Sequence, residues 1–291
     1  MAKLYGDIFQ NNPPPLLYHY SSWEGLLGII NSRGLWASNC RSLNDNAELS
    51  HVMDVLLHAF ENHFYQAGLK GSKNIHNIQQ NLKNIGRKQS GHCVFSLSES
   101  GDLLSQWRAY AQDGRGGSIG LNSTLLKNDI TKSGFSLGRC LYDHGIQYKI
   151  CFDFLKNALM GIDLSSLNDN FPDELNEKIE DFLYSVGIFL KHPAYVDERE
   201  WRIVSGKNHL YSDKWKFRAT IRGLSSYIEI PIPSIFSTET AIEDKKNQPH
   251  FQFTLGPKAR NMPTAQILQA ISHKILGKGY GVTISCAPYI E

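Results

Sequence analysis

The hydrophobic and polar positions near the start of the chain predict a strand followed by a helix. Residues 15–20, PLLYHY, place apolar and aromatic residues of high β-propensity after a proline cluster, which is typical of a strand. Apolar residues then recur at helical spacing over residues 26–30, and Ser21 or Ser22 is suited to cap that helix. His19 therefore lies at a strand end beside a helix N-terminus, where backbone N–H groups favour an anion. The other interpretation is a core histidine with one satisfied hydrogen bond.

Helical and extended patterns follow one another in separate blocks along the rest of the chain. Residues 150–192 predict helices, interrupted near residues 168–172, and short strands dominate after residue 199. Helices segregated from runs of short strands indicate an α+β fold rather than a doubly wound parallel sheet. The sequence contains no repeat and no low-complexity linker, so we expect a single domain over residues 1–291 with a helical insertion at about 150–192.

Composition and charge narrow the class of protein only slightly. Hydrophobic residues make up 41% and charged residues 20% of the chain, as in ordinary globular proteins, and the formal charge of +2 neither requires nor excludes a nucleic-acid partner. No apolar run is long enough to cross a bilayer, and the N-terminus lacks a signal-peptide pattern, so we expect a cytoplasmic protein without a membrane partner. The five cysteines form no C-x-x-C pair, which predicts reduced thiols and no metal site.

A polar stretch over residues 66–91 is expected to form an exposed helix and loop. Its basic residues are either contacts for the phosphates of a nucleic acid or part of a solvated helix face. They are Lys70, Lys73, Lys83, Arg87 and Lys88.

The segment KHPAYVDEREWRIV, residues 191–204, places two carboxylates close together. If residues 198–204 are extended, Glu198, Glu200 and Arg202 project from one face of the strand, with the two acids about 7 Å apart. One interpretation is a solvated face on which Glu200 and Arg202 neutralise each other. The other is a carboxylate that stabilises the positive charge on a sugar when an N-glycosidic bond breaks, beside a second acid that orients a hydroxyl or takes a proton.

Several motifs, in order along the chain, resemble those of an uncharacterised bacterial family, a domain of unknown function. They are LYHYSS at residues 17–22, FSLSE at 95–99, SQWRAY at 105–110, GRG at 114–116 and EREWR at 198–202. The opening strand and helix are also similar to those of the ADP-ribosyltransferase superfamily, especially nucleic-acid-modifying toxins and RNA phosphotransferases. This resemblance implies a split sheet of short strands with flanking helices.

The superfamily resemblance implies a set of residues that bind NAD. His19, with Tyr20 and Ser21 beside it, matches the first-strand histidine that holds the ribose or phosphate of NAD. Ser96 and Ser98 lie where a serine of a middle strand is expected.

The same resemblance implies an aromatic contact to nicotinamide and a catalytic acid. Tyr110, with Arg108 nearby, is the candidate for the ring that stacks on nicotinamide, and Tyr142 is the alternative. Tyr110 could instead form a core pair with the tryptophan three residues before it. Glu200 matches the late-strand catalytic glutamate, and Glu198 is the second acid of an E-x-E pattern.

Two functions follow from these resemblances. The first is an ADP-ribosyltransferase-like enzyme that cleaves NAD and transfers ADP-ribose to a nucleic acid or a protein, as a toxin or a phage-defence effector would. The second is a non-catalytic module of the same fold that recognises a nucleotide or a nucleic acid. The enzyme requires Glu200 to face the same cavity as His19.

Overall fold

A mixed α+β structure is built around one large, mostly antiparallel sheet. The computed structural model describes residues 5–9, 12–40, 46–68, 72–87, 92–163, 171–206, 213–220, 223–238, 249–259, 262–276 and 281–288. The strands are β1 (Leu16–Ser21), β2 (Gly34–Asn39), β3 (Cys93–Ser98), β4 (Gly117–Asn122), β5 (Phe135–Arg139), β6 (Glu200–Ser205), β7 (Lys216–Thr220), β8 (Gly223–Pro231), β9 (Phe251–Leu255) and β10 (Val282–Ile284). The α-helices are α1 (Gly6–Phe9), α2 (Trp23–Ser32), α3 (Asn46–Gln66), α4 (Ser72–Arg87), α5 (Leu104–Tyr110), α6 (Ser123–Lys132), α7 (His144–Ala158), α8 (Asp173–Ser185) and α9 (Met262–Leu276).

The sheet branches at β3. Along one edge, β3 pairs with β6 over its length, from Val94 opposite Val204 to Ser98 opposite Glu200. Its other edge is shared, because β2 pairs with the first residues of β3 and β1 meets β3 only where Tyr18 lies opposite Ser98. β1 and β2 therefore diverge along this edge, and a gap opens between them beside the middle of β3.

Alternation along the strands separates the two faces of the sheet. Tyr18, Ser98 and Glu200 lie opposite one another in neighbouring strands, so their side chains project from the same face. Leu17, Phe95, Leu97, Trp201 and Ile203 project from the other face and form an apolar core with α2, α6 and α9.

A helical layer covers part of the Glu200 face. One buried apolar cluster joins α3, α4, α7 and α8 and reaches Val94 and Val204 on the sheet. Most of α7, all of α8 and a short 3₁₀ helix at Gly187–Phe189 lie in the segment expected as a helical insertion. These elements share their core with α3 and α4, which come much earlier in the chain.

The polar stretch forms α4, which is amphipathic rather than wholly exposed. Ile78, Leu82 and Ile85 are buried against the helical layer. Lys83 is exposed, and Lys73 and Arg87 lie on the same helix. Lys70 and Lys88 fall outside the described residues.

The ranges that the structure describes contain no helix that is both long and apolar enough to cross a membrane. The five cysteines form no disulfide, and of the five only Cys286 is exposed. Within the same ranges, no group of three His, Cys, Asp or Glu side chains is arranged to hold a metal ion.

Candidate functional site

A small cleft lies between β1, β3, α5 and the start of β6. It contains about 360 Å³ of free space, part of which is open to solvent. Six of the residues singled out from the sequence border it, together with three that were not. They are His19, Tyr20, Ser96, Tyr110, Glu198 and Glu200, with Tyr18, Leu97 and Gln106.

Three of the predicted binding residues lie outside the lining of the cleft. Ser98 is buried, and its hydroxyl donates to the Glu198 carbonyl at 2.8 Å and accepts from the Ser100 N–H at 3.2 Å. Ser21 ends β1 opposite Gly117, and Arg108 is exposed in the last turn of α5. Ser98 therefore holds the backbone around Glu198.

His19 fills the gap where β1 and β2 diverge. Its Nδ1 lies 3.0 Å from the Ser96 carbonyl, and its ring stacks on Phe95 with the centroids 4.3 Å apart. Because a carbonyl only accepts hydrogen bonds, Nδ1 carries the proton. Burial lowers the pKa of His19 to about 4, against the opposing effect of the Ser96 carbonyl and with a further lowering by the charge of Arg218. The neutral ring therefore has one nitrogen left, Nε2, which is a hydrogen-bond acceptor.

Glu200 belongs to a cluster of four charged side chains, three of which are buried. Arg202 Nε and Nη2 lie 2.8 and 2.9 Å from the two Glu200 oxygens, and Lys191 Nζ lies 2.6 Å from Oε2. Lys191 also pairs with Glu198, and the Arg202 Nη1 donates to the Ile188 carbonyl at 2.5 Å. Glu200, Arg202 and Lys191 are 5%, 3% and 4% exposed. The solvated strand face that the sequence allowed as one interpretation is therefore not what the fold forms, because the helical layer covers it.

The pKa of Glu200 reflects opposing effects of its surroundings. Burial acts to raise it, but the charges and hydrogen bonds of Arg202 and Lys191 outweigh burial and hold the pKa well below its usual range. The carboxylate is therefore ionised at neutral pH and is a poor proton acceptor.

Glu198 reaches the cluster by a route that the sequence did not predict. A 3₁₀ helix over Pro193–Glu198 comes first, Arg199 adopts a left-handed backbone conformation with φ 45°, and β6 begins only at Glu200. The expectation of an extended segment from residue 198 is therefore wrong. Both carboxylates still meet at Lys191, because the turn at Arg199 brings Glu198 back toward the start of β6.

The aromatic residues of α5 and β1 divide into buried and exposed members. Trp107 is fully buried, and its Nε1 donates to Asp102 at 2.7 Å. Tyr20 packs edge-on against Trp107, and its hydroxyl donates to the Ser100 carbonyl and accepts from the Leu103 N–H. Tyr110 is 41% exposed and borders the cleft, so it and Trp107 do not form a buried pair.

Tyr142, the alternative aromatic contact, supports the start of β6 instead of lining the cleft. Its hydroxyl accepts a hydrogen bond of 2.9 Å from the Glu200 N–H. Burial raises the pKa of Tyr142.

Sequence reasoning missed three groups at the site. Lys191 is the first residue of the KHPAYVDEREWRIV segment, and Gln106 lies inside the SQWRAY motif. Neither pattern indicates a functional role for these two residues. Tyr18 was seen only as part of a strand. A buried lysine between two acids has no signature in the sequence, since Lys191 and Glu200 are nine residues apart and a turn intervenes.

The part of the chain that matches a known family contains the site residues from α5 and β6. Residues 106–203 match the family described as "Protein of unknown function (DUF2971)". The matched segment is about a third of the chain and includes Tyr110, Lys191, Glu198 and Glu200. His19 and Ser96 lie before it. No curated protein and no solved structure matches the chain.

Proposed function

We propose that the chain is an ADP-ribosyltransferase-like enzyme that cleaves NAD and transfers ADP-ribose to a nucleic acid or a protein. The observation that carries this proposal is that Glu200 and His19, which are 181 positions apart in the sequence, border one cleft together with Tyr110. A cleft that combines an aromatic ring, an acceptor for hydroxyl groups and an ionised carboxylate suits a nucleoside whose sugar becomes positively charged.

Each of the three side chains has a chemical role in this proposal. The half-exposed ring of Tyr110 stacks on nicotinamide. The Nε2 of His19 accepts a hydrogen bond from a ribose hydroxyl, since its neutral ring has no second N–H for a phosphate. Glu200 supplies negative charge near the sugar. Because the cleft is small, the proposal places only the nicotinamide riboside half of NAD in it and the rest outside.

The reaction breaks one bond and forms another. The bond between the ribose C1′ and the nicotinamide nitrogen breaks, and its electron pair leaves with nicotinamide. The positive charge that develops on the ribose is stabilised by the carboxylates. A nucleophile of the acceptor then bonds to C1′, and its proton passes to Glu198 or to water. Glu200 does not take that proton, because its two cationic partners keep its pKa low.

The transfer is tested with NAD that carries a radioactive label on the adenylate phosphate. The protein is incubated with this NAD and a bacterial lysate, and the label is measured in the nucleic-acid and protein fractions. We expect one fraction to retain label with the parent protein and neither to do so with Glu200→Gln. Equal labelling by both proteins would contradict the proposal. A labelled macromolecule of the cell would fit a toxin or a phage-defence effector.

A second function is favoured by the charge balance at Glu200. Two carboxylates and two cations form a neutral cluster, which is also what a purely structural ion network requires. In this case the chain is a non-catalytic module that binds a nucleotide or a nucleic acid in the cleft. Binding of NAD by the parent protein without release of nicotinamide would favour the module over the enzyme.

A further inference from the structure

We propose that Arg218, held by Trp36, Tyr227 and Ser38, forms an anion-binding subsite for the diphosphate of a dinucleotide. The choice of a dinucleotide rests on the proposed function. The existence of an anion subsite rests on the surroundings of Arg218 alone.

The guanidinium of Arg218 is fixed in place by aromatic rings. Its Cζ lies 5.7 Å from the centroid of the Trp36 ring and 5.5 Å from that of Tyr227. The Nη2 donates to the Ser38 hydroxyl at 2.7 Å. The guanidinium therefore makes cation–π contacts to two rings and a hydrogen bond to Ser38, and a planar guanidinium of this kind can bind two oxygens of a phosphate through its other N–H groups.

Two buried donors in this cluster lack an acceptor. They are the Nε of Arg218 and the Nε1 of Trp36, neither of which has a hydrogen-bond partner within the described part of the chain. A buried N–H without an acceptor is costly, so two such groups in one cluster point to an acceptor that the described part of the chain does not supply.

The charge of Arg218 is also unbalanced. Among the residues that the structure describes, the ion pairs of β7 and β8 join Lys216 to Glu229, and Arg218 has no carboxylate partner. Burial lowers the pKa of Arg218, as expected for a cation that has lost part of its hydration. The cation–π contacts offset part of that cost, and an anion would offset the rest.

The strand pairings place this cluster next to the cleft. Arg218 lies opposite Ser225 on β8, and Ser38 lies opposite both Tyr227 and Val94, so these side chains share the face of Glu200. The Arg218 side chain crosses β8 and contacts Ser38 on β2. β2 is the neighbour of β3, at one strand spacing of about 5 Å. Its charge acts on His19, which borders the cleft. The proposal therefore places a nucleoside in the cleft and its phosphates at Arg218.

The test compares Arg218→Gln with Lys216→Gln in binding titrations. Lys216 is the matched control, because it is an exposed cation two residues away on β7, paired with Glu229. The probes are inorganic pyrophosphate, ADP-ribose and NAD. We expect Arg218→Gln to weaken the affinity for pyrophosphate and ADP-ribose at least tenfold, and Lys216→Gln to change it less than twofold. Arg218→Lys keeps the charge but lacks the planar guanidinium, so it should also weaken the affinity for pyrophosphate and for ADP-ribose. It provides a second test if Arg218→Gln does not fold.

The outcomes separate this subsite from the proposed function. Unchanged affinity for pyrophosphate and ADP-ribose in both Arg218 variants, or no binding of either probe by the parent protein, would overturn the subsite. Binding of pyrophosphate that depends on Arg218, in a protein that does not cleave NAD, would keep the anion subsite and overturn the enzyme. If the Arg218 variants lose affinity for an oligonucleotide but not for ADP-ribose, the assignment to a dinucleotide is overturned in favour of a nucleic-acid backbone.

Discussion

The guanidinium of Arg202 binds both oxygens of the Glu200 carboxylate, two positions before it on β6, at 2.8 and 2.9 Å. Both side chains are buried under the helical layer, and Lys191 adds a second cation to the same carboxylate. A carboxylate held in this way stays negative, so its contribution to a reaction is its charge and not a proton transfer. This distinction determines which substitutions test its role.

Glu200→Gln should remove NAD cleavage while NAD binding remains. The substitution keeps the shape and removes the charge, so it acts on the transition state more than on the bound substrate. Loss of one such electrostatic contribution costs about 3 kcal/mol, a hundredfold or more in rate, measured as nicotinamide release. Glu198→Gln should reduce transfer to the acceptor more than it reduces hydrolysis of NAD. A Glu200→Gln variant as active as the parent would remove Glu200 from the mechanism.

Lys191→Met should destabilise the protein, because it leaves two carboxylates facing one guanidinium. We expect a loss of about 3 kcal/mol in the free energy of unfolding, measured in urea. The double variant with Lys191→Met and Glu200→Gln removes one charge of each sign, so its loss should be smaller than the sum of the two single losses. It should nevertheless stay inactive. Additive losses would show that the two side chains do not interact.

Acid should weaken the fold through Glu200. Its pKa in the folded protein lies below the unfolded value of 4.5, so the unfolded chain takes up a proton first as the pH falls. The stabilisation by Glu200 is complete above about pH 5 and is lost as the pH falls toward 2. Unfolding in urea at a series of pH values should show a shallower loss in Glu200→Gln than in the parent. Parallel curves would mean that the pKa of Glu200 is not lowered.

His19 should stay neutral through the physiological range. Its pKa in the folded protein is lowered to about 4 from 6.5. As the pH falls below 6.5, His19 is therefore protonated in the unfolded chain before it is protonated in the folded protein, and the free energy of unfolding decreases between pH 6.5 and pH 4. The affinity for NAD should therefore be the same at pH 8 and pH 6, and His19→Ala should weaken it at both. A His19 ring that titrates near 6.5 by NMR, or an unchanged affinity in His19→Ala, would argue against this role.

Tyr110→Ala should weaken NAD binding about tenfold and change stability little, because the ring is 41% exposed. Tyr110→Phe keeps the stacking surface and should bind NAD nearly as well as the parent. Trp107→Ala is the contrasting variant, because it removes a fully buried ring and should cost about 3–5 kcal/mol of stability. Calorimetric titration and urea unfolding measure the two effects separately. Equal NAD affinity in Tyr110→Ala and the parent would exclude stacking.

Local patterns predicted many elements because they report on a few neighbouring residues. The strand expected over residues 15–20 corresponds to β1 (Leu16–Ser21), and the short strands expected after residue 199 include β6, β8 and β9. The elements α6 and β5 were not predicted. The FSLGR sequence of β5 has only two large apolar residues, and α6 has only three, Leu125, Leu126 and Ile130, so neither element has a clear apolar pattern.

The sequence by itself determined the alternation of Glu200, Trp201 and Arg202 between two faces of a strand, because side chains on a strand alternate whatever surrounds it. Only the tertiary structure decided that the charged face is buried. β6 pairs with β3 on one edge and with β5 on the other, and the helical layer covers its charged face. Lys191, from the loop between the two 3₁₀ helices, forms an ion pair with Glu200. The meeting of His19 with Ser96, 77 residues apart, likewise depends on the branching of the sheet at β3. Periodicity distinguishes the two faces of one strand, but what lies against each face depends on residues far away in the chain.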